Sequence, residues 1–180
     1  MAEASGGAWR ERRRQAERRP QRVALVGVGH ELRGDDAAGL AVARRARPWA
    51  GERLLVLEGG PAPENVTGVL RRFAPQLVLL VDAAEFGAEA GAVRWLTPDM
   101  VEGLSATTHT MPLSMLATYL EQELNCRVYL VGIQPGQNGI DQPLSAAVEK
   151  AVGAVSAGLG AVFGRLSDVD VDGAAGFVTT

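Results

Sequence analysis

Acidic and imidazole side chains in this sequence come directly after short apolar runs. The chain has only two histidines, and both lie in such polar segments. Carboxylates together with imidazole suit a borderline divalent ion such as Ni²⁺ or Zn²⁺. These residue types therefore predict a metal centre, provided that the fold brings the residues together. The candidates are His30, Glu31, Asp35, Asp36, Asp82, Glu85 and His109.

Each candidate also has a purely structural interpretation. Asp35 or Asp36 could cap a helix, which is the commonest use of Asp in front of one. Asp82 could close a turn through its side chain, and His109 could be a loop histidine with satisfied hydrogen bonds. We expect His30 to lie near the site rather than to be a ligand. Because no local spacing is as specific as a paired CxxC motif, spacing alone leaves the metal centre a hypothesis.

A nucleotide site is a competing hypothesis. Gly27-Val28-Gly29 follows an apolar run, as in a dinucleotide-binding fingerprint, and Glu58 ends the next run where a ribose-binding acid would lie. However, the third glycine position of the fingerprint is Leu32. The loop is also acidic, so it would repel a pyrophosphate. Nucleotide binding is therefore the weakest of the alternatives.

Nucleophilic catalysis has little support. Cys126 is the only cysteine, so no internal disulfide can form, and it precedes an apolar run as a small buried side chain would. The sequence contains neither a GxSxG nor an HExxH motif. A Ser–His–Asp set built on Ser105 or Ser114 with His109 stays open, although no feature favours it.

The elements that must position these residues alternate between strand and helix. Apolar runs predict strands over 22–28, 53–57, 76–81, 92–96 and 127–133, and helical spacing predicts helices over 35–47, 62–73, 112–124 and 143–163. This alternation predicts an α/β fold, a three-layer α/β/α sandwich with a central, mostly parallel sheet of about five strands. In such sheets the ligand site lies outside the carboxyl ends of the strands. The candidates therefore fall where a site is expected.

Charge divides the chain into segments. Residues 1–22 hold seven arginines and three glutamates, a net charge of +4, whereas the remainder carries −7. We predict an Arg-rich, disordered extension at 1–21, a domain at 22–165 and a loose tail at 166–180. Basic arms can bind nucleic acid, but the arm has almost no aromatic residues, so we expect no nucleic-acid partner. No apolar run is long enough for a membrane span and no secretory signal is present, so we expect a cytoplasmic protein. We also expect it to be a monomer.

Five stretches taken together resemble the hydrogenase maturation endopeptidases, which trim the C-terminal extension from the large subunit of nickel-iron hydrogenases. They occur in the family's order and spacing, and several are most similar to the branch that serves formate-hydrogenlyase-type hydrogenases. The stretches are VALVGVGHELRGDDAAG (23–39), LEGGPAPENV (57–66), LVLLVDAAEFG (77–87), TTHTMPLSML (107–116) and VYLVGIQP (128–135).

The resemblance implies a role for three residues. The family's metal-contacting positions fall on Asp36, Asp82 and His109, which we therefore predict to be both the catalytic and the metal-contacting residues of an aspartic-type endopeptidase. The implied metal is nickel already inserted in the substrate, the large-subunit precursor. Zinc or cadmium would also fit the site. The nickel would either activate water or the scissile carbonyl, or fix the register while a carboxylate acts as general base.

Two residues near Asp36 differ from the family pattern. His30 replaces the usual Asn, and Ala37 replaces the usual Gly. Ala37 should be harmless if its backbone is helical, because Ala is favoured over Gly there by about 1 kcal/mol. A protein that binds the nickel-loaded large subunit as a checkpoint or chaperone without cutting it would keep the same three residues. It is the alternative from a different functional class.

Overall fold

The computed structural model describes residues 20–96 and 112–167. Five strands and four α-helices alternate along these ranges, with short 3₁₀ turns at Gly34–Ala37, Arg47–Trp49 and Pro63–Val66. The strands are β1 (Val23–Val28), β2 (Leu54–Gly60), β3 (Leu77–Ala83), β4 (Val93–Leu96) and β5 (Arg127–Ile133). The helices are α1 (Ala38–Ala46), α2 (Thr67–Phe73), α3 (Leu113–Leu124) and α4 (Ala146–Ser167).

The strands form one sheet in the order β2-β1-β3-β5-β4. β1, β2, β3 and β5 run parallel, and β4 pairs antiparallel with β5 at the edge. Because the parallel strands run the same way, the segments that follow β1, β2, β3 and β5 all leave the sheet at one edge, here called the carboxyl edge. The predicted mostly parallel sheet of five strands is confirmed.

Side chains of the strands alternate between two apolar cores, one on each face of the sheet. Val23 and Leu25 of β1 belong to the core that α1 and α4 cover, whereas Ala24 and Val26 belong to the core that α2 and α3 cover. Strands buried on both faces read as continuous apolar runs, as QLVLLV does in the sequence. The predicted three-layer α/β/α architecture is therefore confirmed.

Four predicted elements have different boundaries in the structure. β2 continues through the Glu58-Gly59-Gly60 segment, because a register shift beside Val28 lets Gly60 pair with β1. The helix predicted over 35–47 begins as a 3₁₀ turn, and the chain winds on through Pro48 in a second 3₁₀ turn. The last helix begins at Ala146 and ends at Ser167. The helix predicted over 62–73 likewise begins as a 3₁₀ turn, and its α-helical part starts at Thr67. The remaining elements lie within one or two residues of their predicted ranges.

Two glycines press the start of α1 against the sheet. A Cβ on Gly39 would lie 2.1 Å from the carbonyl oxygen of Val81 and 2.3 Å from that of Val28. A Cβ on Gly29 would lie 1.8 Å from the carbonyl oxygen of Asp36, and Gly29 has a φ of +128°. Only glycine permits this approach and this dihedral. As a result, the turn that precedes α1 lies against the ends of β1 and β3.

One helix, over Ala146–Gly164, is long and apolar enough by length and composition to cross a membrane. In this fold one side of that helix is part of the core, where Val148, Val152, Leu159 and Phe163 pack with α1 and the sheet. Core helices of this length pass the same test. We therefore interpret α4 as a helix of the α/β sandwich.

Candidate functional site

Asp36 lies in the 3₁₀ turn between β1 and α1, at the carboxyl edge. Its side chain is buried, with 6% of the residue exposed. Oδ2 accepts a hydrogen bond of 2.8 Å from the backbone N–H of His30. This bond closes the loop after β1 and fixes the orientation of the carboxylate. The backbone of Gly29 packs closely against the carbonyl group of Asp36 and so fixes the same turn against the end of β1.

His30 takes part in this loop through both its backbone and its ring. The ring Nδ1 accepts a hydrogen bond of 3.2 Å from the backbone N–H of Leu32. An Asn side chain forms the same turn when its carbonyl oxygen accepts the N–H two residues ahead. The imidazole therefore reproduces the bond that Asn would make, which explains how His30 can replace the family's usual residue.

Asp82 is the penultimate residue of β3 and lies opposite Gly132 of β5. Only 3% of the residue is exposed. Val78 and Leu80 belong to the core under α2 and α3, so strand alternation directs Asp82 toward that same face. Since Gly39 touches the carbonyl of Val81, the turn carrying Asp36 and the end of β3 carrying Asp82 are neighbours.

Asp35 has a different role from its neighbour. It is completely buried, and its Oδ2 accepts hydrogen bonds from the backbone N–H groups of Gly136 (2.8 Å) and Gln137 (2.9 Å). Ser145 adds two more bonds, from its N–H to Oδ1 (2.6 Å) and from its Oγ to Oδ2 (2.9 Å). Ser145 directly precedes α4, and its Oγ accepts a hydrogen bond of 3.4 Å from the backbone N–H of Val148, as an N-cap residue does. Asp35 therefore clamps the loop after β5 and the start of α4.

The expectation that Asp35 or Asp36 caps its own helix was wrong. Neither the 3₁₀ turn nor α1 receives a hydrogen bond from a capping side chain. The carboxylate of Asp36 is turned back toward His30, and that of Asp35 is turned toward the loop after β5. Ala37 has helical φ and ψ of −77° and 0°, so a Cβ is tolerated there as expected.

The other acids singled out in the sequence are engaged in ion pairs or hydrogen bonds. Arg44 binds both Glu31 (2.8 Å) and Glu58 (2.9 Å), and Arg47 also binds Glu58 (2.6 Å). The bonds to Glu31 and then Glu58 raise the pKa of Arg44 above its usual value. Glu85 accepts a 2.6 Å hydrogen bond from the side chain of Gln134. Glu58 therefore forms ion pairs with two arginines, and these pairs account for its position without the ribose-binding role of the nucleotide hypothesis.

Sequence reasoning missed Gln134. This residue follows β5, is 4% exposed, and accepts the backbone N–H groups of Phe86 (2.9 Å) and Ala88 (3.2 Å). It therefore secures the loop that follows Asp82. Two sequence signals could have found it, its place directly after a buried strand and its position within the stretch VYLVGIQP (128–135).

Glu64 is a further acid that the sequence did not single out. It lies in the turn after β2, and its Oε2 is buried without a hydrogen-bond partner in the part of the chain that the structure describes. It is thus an additional carboxylate at the carboxyl edge.

His109 lies outside the described residues, as do most of the loop predicted before α3 and the termini that were predicted to be an arm and a tail. Within residues 20–96 and 112–167, no three His, Cys, Asp or Glu side chains form a group that could hold a metal ion. Two of the three predicted metal-contacting residues, Asp36 and Asp82, therefore lie in neighbouring segments of the carboxyl edge, and the position of the third stays a prediction.

Cys126 lies at the opposite edge of the sheet, directly before β5. It is 9% exposed, and its Sγ lies 3.6 Å from the carbonyl oxygen of Leu120. Burial, with a smaller effect of Glu121, raises the pKa of the thiol to about 11. A protonated thiol is a poor nucleophile. Cys126 is therefore a small core residue, as the sequence predicted.

A model of the HycI hydrogenase maturation proteases matches residues 41–159. The hydrogenase 3 maturation protease of Escherichia coli K12 is 35% identical over 129 residues, which are 71% of this chain and 82% of that protein. The chain belongs to the hydrogenase maturation protease family.

Solved structures of hydrogenase maturation proteases share the fold of this chain. The [NiFe] hydrogenase maturation protease HycI from Thermococcus kodakarensis superposes with a TM-score of 0.74 at 30% identity, over 80% of this chain and 93% of that one. The hydrogenase maturating endopeptidase HybD from E. coli, at 19% identity, shares the fold with a TM-score of 0.68. As a member of this family the protein is a peptidase, a hydrolase of peptide bonds.

Proposed function

We propose that this protein is the endopeptidase that removes the C-terminal extension from the nickel-loaded large-subunit precursor of a [NiFe] hydrogenase. Membership of the maturation protease family supports this activity. The E. coli relative, whose sequence is matched over 82% of its length, is named for hydrogenase 3. We therefore assign the substrate to a hydrogenase of that type.

The observation that carries the site is the pair of buried aspartates at the carboxyl edge. Asp36 and Asp82 come from neighbouring segments, and both are more than nine-tenths buried. Carboxylate oxygens held at one edge of the sheet are suitable ligands for a divalent ion that arrives with the substrate. Together with the imidazole of His109, these oxygens form a donor set that suits nickel and would also accept zinc or cadmium.

In this proposal nickel is part of the substrate. Contacts from Asp36, Asp82 and His109 would hold the nickel-bearing end of the precursor, so that only a loaded precursor presents its scissile bond in register. Two routes to hydrolysis fit the donor set. Either the bound ion polarises water or the scissile carbonyl, or one of the two aspartates accepts a proton from the attacking water.

The test is the mass of the large subunit after incubation with this protein. Nickel-loaded precursor should lose its C-terminal extension, and nickel-free precursor should keep its full mass. If the loaded precursor binds and keeps its full mass, the protein is a checkpoint and the protease proposal is wrong.

A matched pair of variants locates the activity. Asp82→Asn removes one charge from the site, and Glu89→Gln removes one charge from an exposed position in the loop that follows. We expect the first variant to lose processing and the second to retain it. Equal rates for both variants would overturn the assignment of Asp82.

A further inference from the structure

Two loops at the carboxyl edge are joined along their backbones. The carbonyl oxygen of Leu32 accepts the N–H of Asp141 (2.8 Å), and the N–H of Asp35 donates to the carbonyl oxygen of Gln137 (2.9 Å). The four hydrogen bonds to the carboxylate of Asp35 hold the same two segments together. We call residues 30–36 and 134–145 the paired loops. Their shape is set before any ligand arrives.

The paired loops expose apolar side chains although they are built largely from polar residues and glycines. Leu32 is 54% exposed, and Ile140 is 75% exposed, the highest value among the large apolar side chains in the described ranges. Asp141, next to Ile140, has a φ of +56°, in the left-handed region that Asp adopts more readily than most residues. Its hydrogen bond to the carbonyl oxygen of Leu32 holds that conformation and with it the position of Ile140.

This apolar pair is continuous with the candidate site. The N–H of Leu32 donates to the ring of His30, and the N–H of His30 donates to Asp36. One chain of hydrogen bonds therefore links Leu32 to a carboxylate of the site, and the bond from Asp141 to Leu32 adds the segment of Ile140. Leu32 and Ile140 therefore belong to segments that are hydrogen-bonded to the loop carrying Asp36, at the edge of the sheet where the candidate site lies.

We propose that Leu32 and Ile140 are the docking surface for apolar side chains of the hydrogenase large-subunit precursor beside the bond that is cut. The proposal rests on the proposed function, because the precursor is the molecule that must approach Asp36. Burial of exposed apolar side chains on a rigid loop gives binding energy without a cost of ordering the loop. These residues thus determine affinity and not the chemical step.

The test compares the kinetics of processing for exposed apolar residues near to and far from the site. Leu32→Ser and Ile140→Ser are measured against Val162→Ser, because Val162 is 58% exposed on α4. Val162 lies seventeen residues after Ser145, about 25 Å along the helix from the paired loops. The substrate is the nickel-loaded large-subunit precursor purified from the cells that make this protein.

We expect each serine variant of the paired loops to raise KM about tenfold with kcat and Tm unchanged, as loss of one buried apolar side chain predicts. Val162→Ser should have the KM of the wild type. Leu32→Met, which keeps an apolar side chain, should also retain the wild-type KM. The same KM in all variants would overturn the docking surface, as would a lowered kcat at constant KM.

Two further outcomes separate the possible failures. If the wild-type protein leaves the loaded precursor at full mass, the proposed function fails, whatever the docking variants do. If the wild-type protein cleaves normally but is a dimer that Ile140→Ser converts to a monomer with the same KM, the surface binds a second copy of this chain and the docking proposal is wrong. Sedimentation of the wild type and the variant decides this.

Discussion

Asp35 and Asp36 are adjacent in the chain and both are buried, yet the fold uses them differently. The carboxylate of Asp35 accepts four hydrogen bonds from the loop after β5 and the start of α4. Among the described residues, that of Asp36 accepts one, from the loop in which it lies. A carboxylate whose lone pairs are taken by the protein supports structure, whereas one held by a single bond keeps coordination capacity for a ligand. The comparison predicts opposite consequences for stability and activity.

The largest effect should come from the site itself. Asp36→Ala, Asp82→Ala or His109→Ala should each slow processing at least about 100-fold, because loss of a group that orients or contacts a metal has effects of that order or larger. We expect Tm to change little, since Asp36 lies in a turn, Asp82 lies at a strand end, and the sequence predicts a loop around His109. Mass measurement of the precursor and a thermal melt test both points. Full activity in a folded Asp36→Ala protein would remove the distinction between the two aspartates.

Asp35→Ala should show the reverse. It leaves backbone N–H groups of Gly136, Gln137 and Ser145 without their acceptor, and each unsatisfied group of this kind costs about 1–3 kcal/mol. We expect the free energy of unfolding to fall by about 3 kcal/mol and Tm by about 10 °C. Chemical denaturation measures the first quantity. A loss below about 1 kcal/mol would show that water molecules accept the hydrogen bonds that these N–H groups give to Asp35, and the role of Asp35 as a clamp would be wrong.

A substitution at the buried position Cys126, far from the site, extends the comparison between stability and activity. Cys126→Ser places a hydroxyl in an apolar site and should lower the free energy of unfolding by about 1–2 kcal/mol. Processing should be unchanged, because Cys126 lies at the opposite edge of the sheet from Asp36. Loss of cleavage in a folded Cys126→Ser protein, with activity kept in Asp82→Ala, would favour a thiol mechanism over the nickel-contact site.

The raised pKa of Cys126 gives a weaker signature in the pH dependence of stability. The folded thiol ionises at about 11, above its ordinary value of 9.0, so the folded state holds its proton at pH values where the unfolded state loses it. Stability should therefore fall as the pH rises from about 9 to about 11. Cys126→Ala removes this slope. Denaturation midpoints measured across that pH range for both proteins provide the check.

The smallest effect is expected for His30→Asn. The Asn carbonyl oxygen would accept the N–H of Leu32 in place of the ring Nδ1, and the backbone bond to Asp36 would stay. We expect stability within about 0.5 kcal/mol and a nearly unchanged rate of processing. A large loss of activity would mean that the imidazole of His30 contributes to the site directly, and Asp36 would then not be the only functional group of this loop.

Most of the fold was predictable because periodicity is a local property. Continuous apolar runs such as QLVLLV predicted strands buried on both faces, and the alternation of strands with helices predicted the sandwich. The continuation of β2 through Gly59 and Gly60 was not predictable, because it depends on a register shift beside β1. The 3₁₀ turn at the start of the first helix follows likewise from the close contact between Gly29 and Asp36.

By itself, the sequence determined which residue types stand at the ends of which strands, and therefore that Asp36 and Asp82 belong to one edge of the sheet. Only the tertiary structure decided that Asp35 is a clamp and Asp36 is not. The physical reason is distance along the chain. In the part of the chain that the structure describes, the partners of Asp35 lie 101 to 110 residues away, and the partner of Asp36 lies six residues away. Two adjacent residues of the same type carry no local signal of such a difference, because hydrogen-bond saturation depends on which segments the fold brings together.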